Sequence, residues 1–415
     1  MTKRFLSLLL ILTIPLYFGC KQDNTEEPQE TPTGEETPTT PTTPEDEEEP
    51  PVEIKSGDVL LVTSELIEKF ITEVSYPERD YSESKLSNYS PVSPGKADCP
   101  PVFTVRWKCD PSAGDQVTCT LTMDAINDLE AWTNTVTMDA GKDYNYWAKD
   151  DQNYWKVTNL MPNATYHYLV TGENGKELAK GDFTTEGHLH HLNFKSKVRN
   201  CRDLGGWKTE TGQIVRHRMI YRGGRLQNPE LNKNGIKEVQ AEGIKAQLDL
   251  RGHSDVLSAP AIEGFDFCNP VIEEGYSQLL KDDQEKARQC FEFIAKCVHE
   301  NKPVYFHCSL GRDRTGTIAM IVLGVLGVPE GEISKEYEIT QFAPYGYSVS
   351  SGESIKMTRR VDYKGAANYI WENFAKKEDG TYDKFSVAMK KYLMHIGVDE
   401  GVIDQFREEM LWSIR

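Results

Sequence analysis

The spacing of apolar positions changes along the chain, and each change marks a different kind of structure. Behind Lys3 and Arg4 runs a short apolar stretch, Phe5 to Leu16. It is shorter than the roughly 20 residues a membrane span needs, and it has the charged start and apolar core of an export signal over residues 1–20. Residues 21–52 are mostly Glu, Thr and Pro, with the run Glu45-Asp46-Glu47-Glu48-Glu49. Such a segment cannot bury a core and reads as a disordered, extended linker. From 53 to 187, short apolar runs alternate with polar residues between Gly, Asp and Asn turns, as in Val102–Trp107, Gln116–Met123 and Thr165–Val170. A period of two with regular turns predicts a β-sandwich, with residues 53–75 as a separate strand and helix. From 190 to 415 the pattern becomes α/β. Strands are expected at Ile244–Leu250 and Val304–His307. An amphipathic helix is expected over Gln284–Val298, with Ala287, Phe291, Ile294 and Val298 on one face. Further helices are expected over Thr315–Leu326, around Tyr363–Phe374, and over Phe385–His395 and Glu400–Trp412. Helices around a mostly parallel sheet follow from that order.

Composition narrows the functions. The net charge of −18 lies partly in the linker, and no basic stripe with interleaved aromatics occurs, so nucleic acid is not an expected partner. The nine cysteines include no C-x-x-C pair, and no H-E-x-x-H occurs, so the sequence offers neither a metal site nor a cofactor motif. Cys109 and Cys119 flank a turn and either bridge neighbouring strands or stay as buried thiols. Cys290 and Cys297 share one helix as core residues. Trp132, Trp147 and Trp155 read as core, with a glycan platform as the alternative.

The chemistry is concentrated in His307-Cys308-Ser309-Leu310-Gly311-Arg312-Asp313-Arg314-Thr315-Gly316. An apolar strand leads in and a helix leads out, so backbone N–H groups and a helix N-terminus converge on the loop and bind a phosphate dianion. The same field favours a thiolate at Cys308. Arg314 can clamp two phosphate oxygens with its planar fork. A nucleophile inside an anion cradle points to phosphoryl transfer through a phosphocysteine.

The motif resembles the H-C-x5-R-[ST] loop of the protein tyrosine phosphatase superfamily. More narrowly it is similar to the C-x-x-G-K-D-R-T-G loop of a bacterial family acting on phosphotyrosine, phosphoserine, phosphothreonine and phosphoinositides, with Arg312 in place of lysine. Asn200–Gly206, Ile220–Leu226, Leu248–Arg251, Leu326–Glu330 and Tyr337 resemble further blocks of that family, with Cys201 and Glu336 as departures. The resemblance implies Cys308 as nucleophile and Arg314 with Ser309, Leu310, Gly311 and Arg312 as the phosphate cradle. It also implies Thr315 as a hydroxyl donor to the sulfur and Asp313 as general acid. Asp282 and Asp283 are the rival acids, and Asp313 has a helix cap as its plainer role. His307 either orients the loop or simply packs, and Asp249 with Arg251 reads as a structural ion pair. Leu160–Tyr168 and Gly181–Thr185 resemble the end of a fibronectin type III module. Gly19-Cys20 resembles a bacterial lipobox, with Tyr17 where leucine is usual. That implies lipid attachment at Cys20 and a cell-envelope location on a bacterial membrane, the outer membrane or cell surface being the expected site.

The leading expectation is therefore a lipid-anchored phosphatase of phosphotyrosine in protein substrates, with phosphoserine and phosphothreonine as further candidates. An inositol phosphate or phosphoinositide substrate is the alternative, with Arg312 as a second cation. A non-catalytic lipoprotein binding a phosphorylated or glycan ligand is the alternative of another class. The oligomeric state is not legible.

Overall fold

The computed structural model describes residues 52–89, 101–108, 110–139, 152–194, 198–228, 230–253, 255, 257–343 and 359–412. The segments expected to be an export signal and, up to Pro51, a linker lie outside the described residues, as do Cys20, Cys99, Cys109 and Trp147.

The alternating segment forms two sheets. One has the order β1 (Val52–Glu53), β3 (Phe103–Lys108), β6 (Gln152–Val157). The other has the order β2 (Val59–Leu61), β8 (Glu177–Glu186), β7 (Thr165–Gly172), β4 (Gln116–Met123), β5 (Trp132–Asp139). In β4 the alternation is direct: Val117, Cys119, Leu121 and Met123 are buried and the residues between them are not. They share one apolar core with Phe103, Val105, Trp107 and Trp155 of the other sheet, since a pleated strand sends successive side chains to opposite faces. Cys119 is a free, buried thiol against the Met138 sulfur. Trp155 is core, while the Trp132 indole donates to the Ala241 carbonyl at 3.0 Å.

The early helix α1 (Glu65–Glu73) exists, capped by the Ser64 hydroxyl, but its buried face belongs elsewhere. Ile67, Phe70 and Ile71 join the large core of the later α/β region, as do Val74, Tyr76, Tyr81 and Leu86. Polar contacts fix them there. The Tyr76 and Ser84 hydroxyls each donate to Glu338 at 2.6 Å, and Lys335 donates to the Ile71 carbonyl at 2.8 Å. The Arg360 guanidinium lies over the rings of Tyr76 and Tyr81.

The α/β region is built on a mixed sheet of order β13 (Asp266–Cys268), β12 (Ala246–Asp249), β14 (Val304–His307), β11 (Ile220–Gly223), β9 (Arg202–Asp203). The first four strands are parallel and β9 is antiparallel to β11. Every residue of β14 is buried, as expected of a central strand. Gly223, Asp249 and His307 stand at one level in register, so three strands end together below the loop that follows β14. That loop enters α5 (Asp313–Leu326), which is buried from Thr315 onward. Around it lie α2 (Lys233–Ala241), α3 (Tyr276–Lys281), α4 (Gln284–His299), α6 (Glu330–Glu338), α7 (Arg360–Ile370), α8 (Phe385–His395) and α9 (Glu400–Met410). The last helix stops two residues short of the expected end. Leu411–Trp412 forms β15, paired with β10 (Ile214–Val215).

Candidate active site

The loop from Cys308 to Arg312 is held from behind by its carbonyls. The Arg225 N–H donates to the Ser309 carbonyl at 3.3 Å. The Asn200 amide donates to the Leu310 and Gly311 carbonyls at 3.2 and 2.9 Å. The Arg222 guanidinium donates to the Gly311 carbonyl at 2.5 Å. In a trans peptide the N–H points opposite to its C=O. Three carbonyls bound on the outside therefore turn the N–H groups of Leu310, Gly311 and Arg312 toward the inside, where Cys308 sits. Gly311 is required in this arrangement. Its φ is +71°, and a Cβ would lie 2.4 Å from the Gly223 carbonyl carbon.

Arg222 is itself fixed by a buried charge cluster. Glu336 accepts from Arg222 at 2.5 Å and from Arg202 at 2.7 Å, and all three side chains are buried. Glu336 departs from the aspartate of the resembled pattern, and its longer side chain spans two guanidiniums. Sequence reasoning gave Asn200, Arg222 and Glu336 no role. Their presence in the resembling blocks was a signal, but their partners lie about a hundred residues away in the chain.

Cys308 is 3% exposed. Burial alone would raise its pKa. The Thr315 hydroxyl, the Arg314 charge and the N–H groups of Thr315 and Leu310 outweigh that and hold the thiol below its ordinary value. Thr315 is completely buried beside the sulfur. Arg314 is steered by carbonyls at the strand ends: its Nη1 donates to Ile272 at 2.9 Å and Leu250 at 3.4 Å. The hydrogen bonds described for Arg314 use Nη1 alone, and its other donors can address an anion.

His307 does both things considered for it. Its ring is buried, with burial pushing the pKa down to about 4, so it is neutral near pH 7. Nδ1 lies 3.2 Å from the Cys308 carbonyl, and the Gln247 amide lies 2.9 Å from Nε2. An amide NH2 only donates and a carbonyl only accepts, so the ring is the Nδ1–H tautomer and anchors the Cys308 carbonyl. Asp249 and Arg251 form the expected buried ion pair, at 2.7 Å.

Asp313 opens α5 with its side chain one third exposed. Its Oδ1 accepts from the Tyr276 hydroxyl and from Arg312 Nε at 2.7 Å, and its Oδ2 accepts from Arg312 Nη2 at 3.2 Å. Arg312 therefore turns along the loop toward Asp313. Tyr276 was not anticipated. It stands at the start of α3, its N–H bound to the Thr317 hydroxyl, and its own hydroxyl shares a 2.6 Å hydrogen bond with that of Tyr337. The start of α3 abuts the loop through Tyr276. Asp282 terminates α3, about 9 Å along the axis from Tyr276. Asp283 precedes α4 and pairs with Lys286 at 3.1 Å. At the rim, the Ser309 hydroxyl reaches Asp255 at 3.5 Å, and Glu273 accepts from the His253 N–H at 2.8 Å.

Strand, thiol, amide cradle, arginine and buried helix together make a site for an anion next to an ionisable nucleophile. The sequence profile of the tyrosine phosphatase family matches residues 194–412, which contain all of these parts. A candidate tyrosine-protein phosphatase of Cupriavidus necator is 27% identical over 173 residues, covering 36% of this chain and 62% of that protein. A tyrosine-protein phosphatase of Nostoc commune is 31% identical over 205 residues, covering 40% of this chain and 66% of that protein. The chain spans just under two thirds of the length of each relative. With just over half of its residues matched by the family profile, this chain belongs to the tyrosine phosphatase family.

Proposed function

We propose that the protein is a phosphomonoesterase that hydrolyses phosphotyrosine in proteins through a phosphocysteine intermediate. The observation that carries this reading is the lowered thiol of Cys308 at the floor of an inward-facing amide cradle beside Arg314. Cys308 Sγ attacks phosphorus in line, the S–P bond forms, and the P–O bond to the tyrosyl oxygen breaks. Asp313 gives that oxygen its proton. Arg314 and the N–H groups of Leu310, Gly311 and Arg312 hold the equatorial oxygens as charge spreads over them. Water then attacks phosphorus, the S–P bond breaks, and the Thr315 hydroxyl supports the departing thiolate. Phosphate leaves, and the water proton returns to Asp313.

The choice of a single-phosphate substrate rests on Arg312. Its guanidinium pairs with Asp313 rather than standing as a second anion contact, which weakens the inositol polyphosphate alternative. Turnover of phosphotyrosine, phosphoserine and phosphothreonine peptides and of inositol polyphosphates tests the reading. Phosphotyrosine should lead, and Cys308→Ser should remove turnover of every substrate. Preferred turnover of an inositol polyphosphate would move the substrate class.

The reading extends to the ends of the chain. Lipid attachment at Cys20 tethers the protein to the cell envelope, with residues 21–52 as spacer. The two-sheet region is a fibronectin type III-like β-sandwich, supported by its shared core and its strand orders. Metabolic labelling with a palmitate analogue, compared with Cys20→Ala, tests the anchor.

A further inference from the structure

A second cluster of chemically capable side chains lies away from Cys308, at the far edge of the sheet. Asp203, at the end of β9, is completely buried. Its Oδ1 accepts from the Gly205 N–H at 2.8 Å, and its Oδ2 accepts from the Arg218 N–H at 2.8 Å. The Nδ1 of His217 lies 2.9 Å from Oδ2. The Nδ1 of His190 lies 3.5 Å from the same oxygen. One donor atom from each of His190, Asp203 and His217 lies within 4.8 Å of the other two.

His190 is the informative member. It is 0% exposed, and its Nε2 lies 3.1 Å from the Asn159 carbonyl. A carbonyl only accepts, so Nε2 carries the proton. In the neutral ring Nδ1 then holds a lone pair, and its contact to Asp203 Oδ2, at 3.5 Å, does not reach hydrogen-bond geometry. That lone pair faces a carboxylate with no solvent between them. Two electron-rich atoms in a buried place repel unless a cation lies between them. The neighbouring charges do not supply it. Arg218 is directed at Glu242, 3.6 Å away, and its guanidinium stacks over Trp132. Glu242 also stands 3.8 Å from the Nε2 side of His190, away from the shared oxygen.

We propose that His190, Asp203 and His217 bind one divalent transition-metal ion of the zinc type. Imidazole nitrogens and a carboxylate form a donor set that suits zinc. Tetrahedral bonds of about 2.0–2.1 Å place ligand atoms roughly 3.3 Å apart, and the two separations measured around Asp203 Oδ2, 2.9 and 3.5 Å, bracket that value. His190 already presents its lone pair. His217 presents Nδ1 once its proton moves to Nε2, and water completes the shell. The ion is structural. It ties the segment between β8 and β9, whose His190 also holds Asn159 of the two-sheet region, to the edge strand β9 and to the turn before β11. β14, which carries the Cys308 loop, lies two strands away, so phosphoryl transfer does not pass through the metal.

The test uses the purified protein, stripped with EDTA and then given zinc or cobalt(II). Elemental analysis after dialysis should find one ion per chain, and zinc should raise the Tm of the stripped protein. Cobalt should give the visible absorption of a tetrahedral site without the strong near-ultraviolet band of thiolate ligation. His190→Gln and His217→Gln should each lose the ion and the Tm rise. Both leave the Asp203 contacts to Gly205 and Arg218 in place, and retained aryl phosphate turnover reports that each variant is folded. Three results would overturn the proposal: no ion retained by the unaltered protein, equal retention by His190→Gln, or a thiolate band placing the metal on cysteines.

Discussion

Cys308 and Cys201 are both buried thiols flanking strands of the same sheet, and their surroundings drive them in opposite directions. Cys201 is 1% exposed, and burial pushes its pKa up to about 12 despite the Tyr305 hydroxyl and Arg202 nearby. Cys308 is 3% exposed, yet its pKa falls. Depth does not separate them. Cys201 precedes a short edge strand, its thiol donating to the Arg199 carbonyl at 3.3 Å and lying 3.3 Å from the Tyr305 hydroxyl, within an apolar cluster. Cys308 stands where a central strand ends, and there the chain supplies N–H groups, a threonine hydroxyl and an arginine. The lesson is that reactivity comes from the strand end and the loop braced behind it, while burial by itself makes a thiol inert.

The largest expected effect separates the two cysteines outright. Cys308→Ser should lower aryl phosphate turnover by at least about 10³-fold, because a hydroxyl lacks the thiolate's ionisation. Cys201→Ser should leave turnover within a few-fold. Comparable losses in both would erase the distinction. Next comes the brace. Glu336→Gln leaves Arg202 and Arg222 buried without their counter-charge, and a denaturant titration should show a loss of about 3–5 kcal/mol. A loss near zero would mean that the charge cluster does not hold the loop. Asp313→Asn should then slow substrates with poor leaving groups by about 10²-fold while sparing activated aryl phosphates. Equal losses would reduce Asp313 to a helix-start residue. The smallest effect is electrostatic. Thr315→Val removes the leading stabiliser of the ionised sulfur, so the pH profile of Cys308 alkylation should move upward while Cys201 stays unlabelled. The sign follows from linkage. A thiol lowered in the fold is stabilised by ionisation at high pH, and that contribution is lost as pH falls through the folded value.

Much of the site could be read from the chain because it is local. Cys308 through Thr315 form one contiguous loop, and the flanking apolar run and helix carry their own periodicity. The parallel sheet and the helices over Gln284–His299, Asp313–Leu326 and Phe385–His395 were legible for the same reason. The bracing residues were not, because Asn200, Arg222 and Glu336 meet the loop only through tertiary contacts, and no periodicity encodes a pairing across a hundred residues. α1 shows the same limit. Its amphipathic pattern predicts a helix but not which core receives Ile67, Phe70 and Ile71, and the receiving core is the distant one. The end of α9 was overrun because Leu411 and Trp412 continue an apolar pattern that pairing with Ile214 and Val215 turns into a strand.

The most direct measurement is site-resolved iodoacetamide labelling at slightly acidic pH, read by mass spectrometry, with and without inorganic phosphate. The account predicts that Cys308 is alkylated first, that Cys201, Cys290 and Cys297 remain unmodified, and that phosphate protects Cys308. A Cys308 no more reactive than Cys201, or one that phosphate fails to protect, would contradict it.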